Sequence, residues 1–263
     1  MNHNDFIVTT YLTKKRLPVV YTHLKSGQRI FLDPMDPFIF THTLETREWE
    51  DHLEAVFIHS LSGKTSPVFV DVGANIGLHS LRAHKYGAKM YCFEPDPDTF
   101  DILNINMQIN GAFTSELFQM ACGNQSGTVQ FDRSDISAGM SHIAYDTTSN
   151  DNSSNRLEVK IDSLDNMLSN VNEVSLIKID VEGAEEQVIA GARSILSRSK
   201  DITLIMEYHV RPTLTEIIVE LINNLGFKAY LFRYGQSPIE LNVEHASDWQ
   251  SGDIVLTHRH IRI

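Results

Sequence analysis

Cysteine is almost missing from this chain: Cys92 and Cys122 are the only two among 263 residues. A disulfide framework is thereby excluded, and because both lie in apolar, strand-like runs, each is expected as a small buried hydrophobe. Long apolar runs are missing too. Nothing approaches the roughly 20 apolar residues that a membrane-spanning helix needs, and the opening stretch "MNHNDFIVTTYLTKKRLPVVY" holds no apolar core of signal-peptide length. A cytoplasmic protein with no membrane partner is the expectation. Basic residues are scarce, 22 against 34 acidic ones, for a net charge of −12. Phosphate binding favours the opposite balance, so no nucleic-acid partner is expected, although a small local basic pocket remains compatible with it. Internal repeats and obvious linkers are also lacking. The length suits one large α/β domain with a well-buried core.

What is present begins with short alternating runs. Residues 6–40 read as two to four short strands, with Lys25–Gln28 ("KSGQ") as a hairpin turn. Glu45–Gly63 carries Trp49, Leu53, Val56, Phe57 and Leu61 at spacings of three and four, which predicts an amphipathic helix stopped by Gly63. Residues 1–66 are thus expected as a β-rich cap and helix packed on a core formed by 67–263. From Pro67 on, apolar strands alternate with helices: "VFVDV", "KMYCFEP", "TSELFQMACG", "VSLIKIDV" and "DITLIMEYH" are followed by amphipathic or capped segments, and "FKAYLF" and "DIVLTH" close the chain. Asp96 with Pro97 marks a helix start, Gly111 its end. The pattern means a mostly parallel sheet covered by helices on both faces. Asp146–Arg156 ("DTTSNDNSSNR") cannot bury apolar surface and reads as a loop, or more pointedly as a lid.

The chemistry concentrates at strand ends, where such sheets bind ligands. Asp71, Glu94, Asp180 and Glu207 all fall there. The first sits in "VFVDVGANIGLHSL", Val68–Leu81. A dinucleotide-binding turn would read G-x-G-x-x-G and place a pyrophosphate on the helix N-terminus. Here Asn75 replaces the middle glycine of Gly73, Asn75 and Gly77, and Asp71 stands where it would repel a phosphate. A cationic ligand such as S-adenosylmethionine would find that acid attractive. Gly73 would let the backbone approach the ligand, and Gly77 would let the helix start close to the strand. Glu94 lies about twenty residues on, the place where an acid clamps ribose hydroxyls. The small residues around Cys122 and Gly123 leave room for an adenine or form a simple turn.

Taken together, "FVDVGANIGLHSL", "CFEPDPDTFDILNINMQING", "MACGNQSG", "IDSLDNML" and "LIKIDVEGAEEQVIAGA" resemble, in order and separation, the FkbM family of S-adenosylmethionine-dependent methyltransferases. The resemblance covers about Pro67 to His209. It implies a Rossmann-like class I methyltransferase fold, with a seven-stranded, mostly parallel sheet whose last strand is antiparallel. It also implies methyl transfer to a hydroxyl of a sugar, glycan or secondary metabolite. By the same resemblance Asp71, Gly73, Asn75 and Gly77 hold the methionine part of the cofactor, Glu94 the ribose, and Cys122–Asn124 lie near the adenine. Asp180, Glu182 and Gly183 lie beside the transferred methyl.

A hydroxyl acceptor needs a base. The candidates are Asp180, Glu182, Glu207 and His209. Lys178 shares a sheet face with Asp180 and reads as an ion pair tuning it. Glu185 and Glu186 read as acids complementing a helix dipole. A divalent metal held by Asp180 with Glu207 or His209 is a second, less favoured route, so no metal ligand is assigned. His79 is expected at the surface by default. With His142 and the Ser137–Ala144 stretch, it is also a candidate for the acceptor wall. The rivals are an NAD-dependent oxidoreductase, a non-catalytic protein on the same fold, and transfer to nitrogen.

Overall fold

The computed structural model of the chain describes residues 10–11, 18–134, 136–144 and 155–261. Strands β1 (Thr10–Tyr11), β2 (Pro18–His23) and β3 (Arg29–Leu32) form an antiparallel sheet. Its hairpin is the expected one, closed where Gly27 N–H donates to the Leu24 carbonyl at 2.9 Å. A helix follows where a strand was expected: α1, Pro37–Thr46. Asp36 decides this, because its side chain accepts the N–H groups of Phe38 and Ile39, with Pro37 occupying the first helical position. The single helix expected over Glu45–Gly63 is broken. Arg47 and Glu50 both take left-handed backbone angles, with φ of 63° and 45°. A tight turn at Asp51–Leu53 then leads into a shorter α2, Glu54–Leu61.

The core then runs β4 (Val68–Val72), α3 (Leu78–Lys85), β5 (Lys89–Phe93), α4 (Pro97–Ile109) and β6 (Glu116–Phe118). The strand expected over "TSELFQMACG" divides. Met120 N–H turns back onto the Phe118 carbonyl at 3.0 Å, and β7 (Ala121–Cys122) leaves for a second sheet. That sheet has the order β7-β10-β8-β9, from β8 (Gly127–Asp132), β9 (His142–Ile143) and β10 (Arg156–Asp162). The main sheet resumes through α5 (Leu164–Met167), β11 (Leu176–Ile179), α6 (Glu185–Ala190), α7 (Arg193–Arg198), β12 (Thr203–Tyr208) and α8 (Pro212–Leu225). It ends with β13 (Lys228–Phe232), β14 (Ile239–Leu241) and β15 (Gly252–Thr257).

Strand order in the main sheet is β14-β13-β15-β12-β11-β4-β5-β6. β15 runs antiparallel to both neighbours, while β12, β11, β4, β5 and β6 pair in parallel. This is the doubly wound arrangement with an antiparallel last strand, and it has eight strands where seven were expected. The extra one, β14, is a three-residue strip along β13, whose outer edge would otherwise show unpaired backbone groups.

Period-two alternation sends Val70, Ile177 and Leu204 to one face, against Val188, Ile195 and Ile218 of the following helices. Phe69, Leu176 and Ile205 face the other way, onto α2, α3 and the N-terminal segment, where Val19, Ile30, Leu32 and Phe57 join the same core. Cys92 and Cys122 are buried free thiols, as expected. The polar stretch expected as a loop lies, through residue 154, outside the described residues. Among the described residues, no helix is long and apolar enough to cross a membrane.

Candidate active site

A cavity of about 360 Å³ opens at the carboxyl ends of β4, β5, β11 and β12. Gly73, Asn75, Glu94, Cys122, Asp180, Glu182 and Glu207 all stand on its wall, so the sequence placed seven site residues around one space. Asp71, Gly77, Gly123 and His209 are not on that wall.

Gly73 has φ of +80°, and a Cβ there would fall 1.8 Å from the Asp180 carbonyl oxygen. The close approach this glycine permits is therefore between β4 and the end of β11. Gly77 has φ of +92°, and its added Cβ would meet Leu103 of α4 at 2.7 Å, so it serves helix packing instead of ligand approach. Gly123 is similarly crowded by Ile161, at 2.6 Å. Asn75 takes a left-handed φ of 50°, a conformation asparagine tolerates better than most residues. Its N–H donates to Glu94 Oε2 at 3.0 Å, while Asp96 N–H donates to Glu94 Oε1 at 2.9 Å. Both oxygens are thus fixed by backbone, and each keeps a lone pair for a hydroxyl. Burial pushes Glu94 up to about 8, and the two N–H groups oppose that shift.

Beneath the turn lies a buried ionic cluster. Asp71 is 1% exposed and faces α3, where Ser80 Oγ donates to its Oδ2 at 2.6 Å. Its Oδ1 is buried without a hydrogen-bond partner among the described residues. Burial lifts its pKa to about 6, against the pull of Lys178 and Ser80. Lys178 is 3% exposed and donates to Asp180 Oδ2 at 2.7 Å, the expected ion pair. Burial works against its charge, but Asp180, Glu50 and Asp71 hold it well above the ordinary lysine value.

On the far side, Glu182 has φ of 52° and presents its carboxyl to the cavity. Burial, with Asp180 and Glu185 adding repulsion, lifts it to about 7. Glu207 is raised as well, by burial and then by Asp180 and Glu182. Its Oε1 lies 3.3 Å from His209 Nε2, and Oε2 is buried with no hydrogen-bond partner among the described residues. Glu182, Glu207 and His209 bring one donor atom each within 4.8 Å of one another. These oxygen and imidazole donors suit a hard divalent ion. Asp180, paired with Lys178, is not in that group, so the less favoured metal route considered around Asp180 has its donors around Glu182 instead. Glu185 is fully buried, taking the Gly183 N–H at 3.0 Å and pairing with Arg211, which makes it a brace for the turn as well as a helix-end acid.

His79, expected at the surface, is 6% exposed. The N-terminal segment covers it, and Glu50 Oε2 lies 2.8 Å from its Nε2. His142 is exposed and off the cavity wall, although Ser137–Ser141 beside it do line the cavity. Sequence reasoning missed Phe38, Ile39, Trp49 and Glu50, which close the cavity from the N-terminal side. Asp36 ties that side to the 137–141 turn: its Oδ2 accepts from Ser137 Oγ at 2.7 Å and from Ala138 N–H at 3.1 Å. The Asp36–Pro37 pair was the available signal, since it is the same helix start recognised at Asp96–Pro97.

Strand order, glycine turn and acid-lined cleft together define a Rossmann-like fold of the class I methyltransferase type. Residues 71–229 match the methyltransferase FkbM domain, and the chain belongs to that family. It is 31% identical over 131 residues to the hexuronic acid methyltransferase AglP of Haloferax volcanii, covering 49% of this chain and 51% of that protein. To the 2-O-methyltransferase NoeI of Sinorhizobium fredii it is 29% identical over 163 residues, covering 55% of this chain and 65% of that protein. The methyltransferase sdnD of Sordaria araneosa is 30% identical over 157 residues, which cover 48% of this chain and 61% of that protein. The matched stretches therefore span between about half and two thirds of these relatives' lengths.

Proposed function

We propose that this chain is an S-adenosylmethionine-dependent O-methyltransferase acting on a hydroxyl of a sugar, glycan or small metabolite in the cytoplasm. The observation that carries the reading is Glu94, a buried carboxylate whose two oxygens are aimed by backbone N–H groups at the end of β5, on the same cavity as Gly73 and Asp180. That arrangement fits a ribose beside a phosphate-free, cationic tail. When bound, the cofactor supplies an electrophilic methyl group on a sulfonium. The protein's share is placement and proton handling. Strand order supports that placement: Met120–Cys122 follow β6, Glu94 follows β5, Gly73 follows β4 and Asp180 follows β11, an order that suits adenine, ribose and methionine portions laid along the sheet edge. Glu182 and Glu207, raised toward neutral pH, are positioned to take the acceptor's proton, a contribution of roughly 10²–10⁴-fold. Residues 18–61 act as a cap that closes the acceptor side. The name of AglP, a hexuronic acid methyltransferase, supports a sugar-type acceptor, and that of NoeI, a 2-O-methyltransferase, supports transfer to oxygen.

Titration calorimetry with S-adenosylmethionine and with NAD tests the reading. Binding of the first alone is expected. NAD binding without S-adenosylmethionine binding refutes it in favour of an oxidoreductase. Cofactor binding with no turnover across a panel of sugar and phenolic hydroxyls favours a non-catalytic protein.

A further inference from the structure

Glu50 lies outside the stretch 71–229 that matches the family domain, yet it lines the cavity beside Trp49 and His79. Its backbone is held at φ of 45°, a conformation few non-glycine residues adopt. Its side chain is aimed by an unambiguous hydrogen-bond chain. His79 Nδ1 lies 3.2 Å from Arg82 Nη1, and a guanidinium only donates. Nδ1 must therefore accept, which puts the ring's hydrogen on Nε2 and makes His79 a neutral donor to Glu50 Oε2 at 2.8 Å. Arg82 also donates to the Trp49 carbonyl, pinning the residue before Glu50. Glu50 Oε1 has no hydrogen-bond partner among the described residues.

Position then selects the ligand group. His79 is the second residue of α3, directly after the glycine turn, and Lys178 of β11 lies below. Along the sheet edge this is the methionine end of the cleft, on the other side of Glu94 from Met120–Cys122. Burial alone would neutralise Glu50, but the charge of Lys178 and the hydrogen bond from His79 hold it below the usual carboxylate range. A fixed, ionised carboxylate with one oxygen unused suits a primary ammonium group.

Building on the S-adenosylmethionine reading, we propose that Glu50 binds the α-ammonium group of the methyl donor, with neutral His79 as its positioning residue. The cap would then belong to the cofactor site as well as to the acceptor site. The test is a binding cycle with Glu50→Gln, which keeps the shape and removes the charge. Parent and variant are titrated with S-adenosylhomocysteine, which carries the ammonium, and with 5′-methylthioadenosine, which lacks the amino-acid end. The expected result is a roughly 10- to 100-fold weaker Kd for the first ligand in the variant and a change within about twofold for the second, which also reports an intact fold. Equal losses for both ligands, or no loss for either, overturn the assignment. A ligand-side cut needs no variant: on the parent, S-adenosylhomocysteine lacking its α-amino group should bind weaker by a similar factor, and a loss under about threefold also overturns it. A parent that binds none of these ligands refutes the cofactor reading itself, which separates that failure from failure of the Glu50 assignment.

Discussion

Lys178 offers the sharpest test of the buried cluster. It is 3% exposed, donates to Asp180 at 2.7 Å and sits among Asp71 and Glu50. Lys178→Met fills the same space without the charge. Asp71, 1% exposed, is then a buried carboxylate with no cation nearby. Breaking one side of a buried ion pair costs about 3–5 kcal/mol, or roughly 6–20 °C in melting temperature for a chain of this size. The pH dependence has a definite sign. Folded Asp71 already titrates at about 6 with Lys178 present, above the ~3.9 of an unfolded aspartate. Without Lys178 its folded pKa rises further. A raised folded pKa adds stability that is present at low pH and lost as pH rises through that value. Both forms lose this contribution from about pH 4 upward; the parent's loss is complete above about 6, whereas the variant's continues up to its higher folded pKa. Its deficit is therefore full at about pH 8 and shrinks toward about pH 6, where protonation neutralises Asp71 in the variant. Thermal melts across that window read the difference directly. A deficit below about 1 kcal/mol at about pH 8, or one that grows on acidification, refutes an ionised cluster organised around Lys178.

Gly73→Ala forces a Cβ into the Asp180 carbonyl at 1.8 Å in a backbone with φ of +80°. It should cost about 2–4 kcal/mol in denaturant melts and weaken S-adenosylhomocysteine binding at least roughly tenfold; parent-like binding would show that the contact between β4 and β11 does not shape the site. The methylation rate should climb with pH through about 7, because Glu182, lifted there by burial, Asp180 and Glu185, accepts a proton only when ionised. Glu182→Gln should lower and flatten that profile, and a parent rate that is flat from ~pH 6 to ~pH 9 removes both acids from the base role.

The parts legible in the sequence are those whose cause is local. Val68–Val72 followed by Gly73 and Gly77 announces a strand, a turn and a helix, because periodicity and positive φ are properties of a few neighbouring residues. Asp180 and Glu207 fall at strand ends as expected for the same reason, since a strand end is visible in its own residues, whereas Glu182, expected in the first turn of the following helix, stands before α6 at a left-handed φ of 52°. What escaped depends on distant partners. Pro37–Phe40 closes a stretch expected as short strands, and the cap supplied by Asp36 and Pro37 makes it the start of α1. His79 looked solvent-facing from its helix alone, yet a segment 29 residues earlier covers it. Glu50 had no local signature at all, because its surroundings come from α3 and from Lys178 of β11. The seven-strand expectation failed at β14, a three-residue strip too short to show a period.

The acid of the first loop belongs to a buried cluster wider than the loop itself. Asp71 is off the cavity wall, buried against Ser80. Under the proposed function, discrimination between a cation and a phosphate belongs to the whole acid cluster, where Lys178 is surrounded by Asp71, Asp180 and Glu50, with Glu207 and Glu182 beyond. Burial raises Glu182 and Glu207 first, and that crowding adds to both shifts. Under the proposed chemistry the crowding has a second use. A positively charged donor entering the cleft relieves the repulsion and pulls both acids back toward ionisation. Base and electrophile thus become ready together: the same carboxylates that favour a cation over a diphosphate are made able to accept a proton by the arrival of the group that needs them.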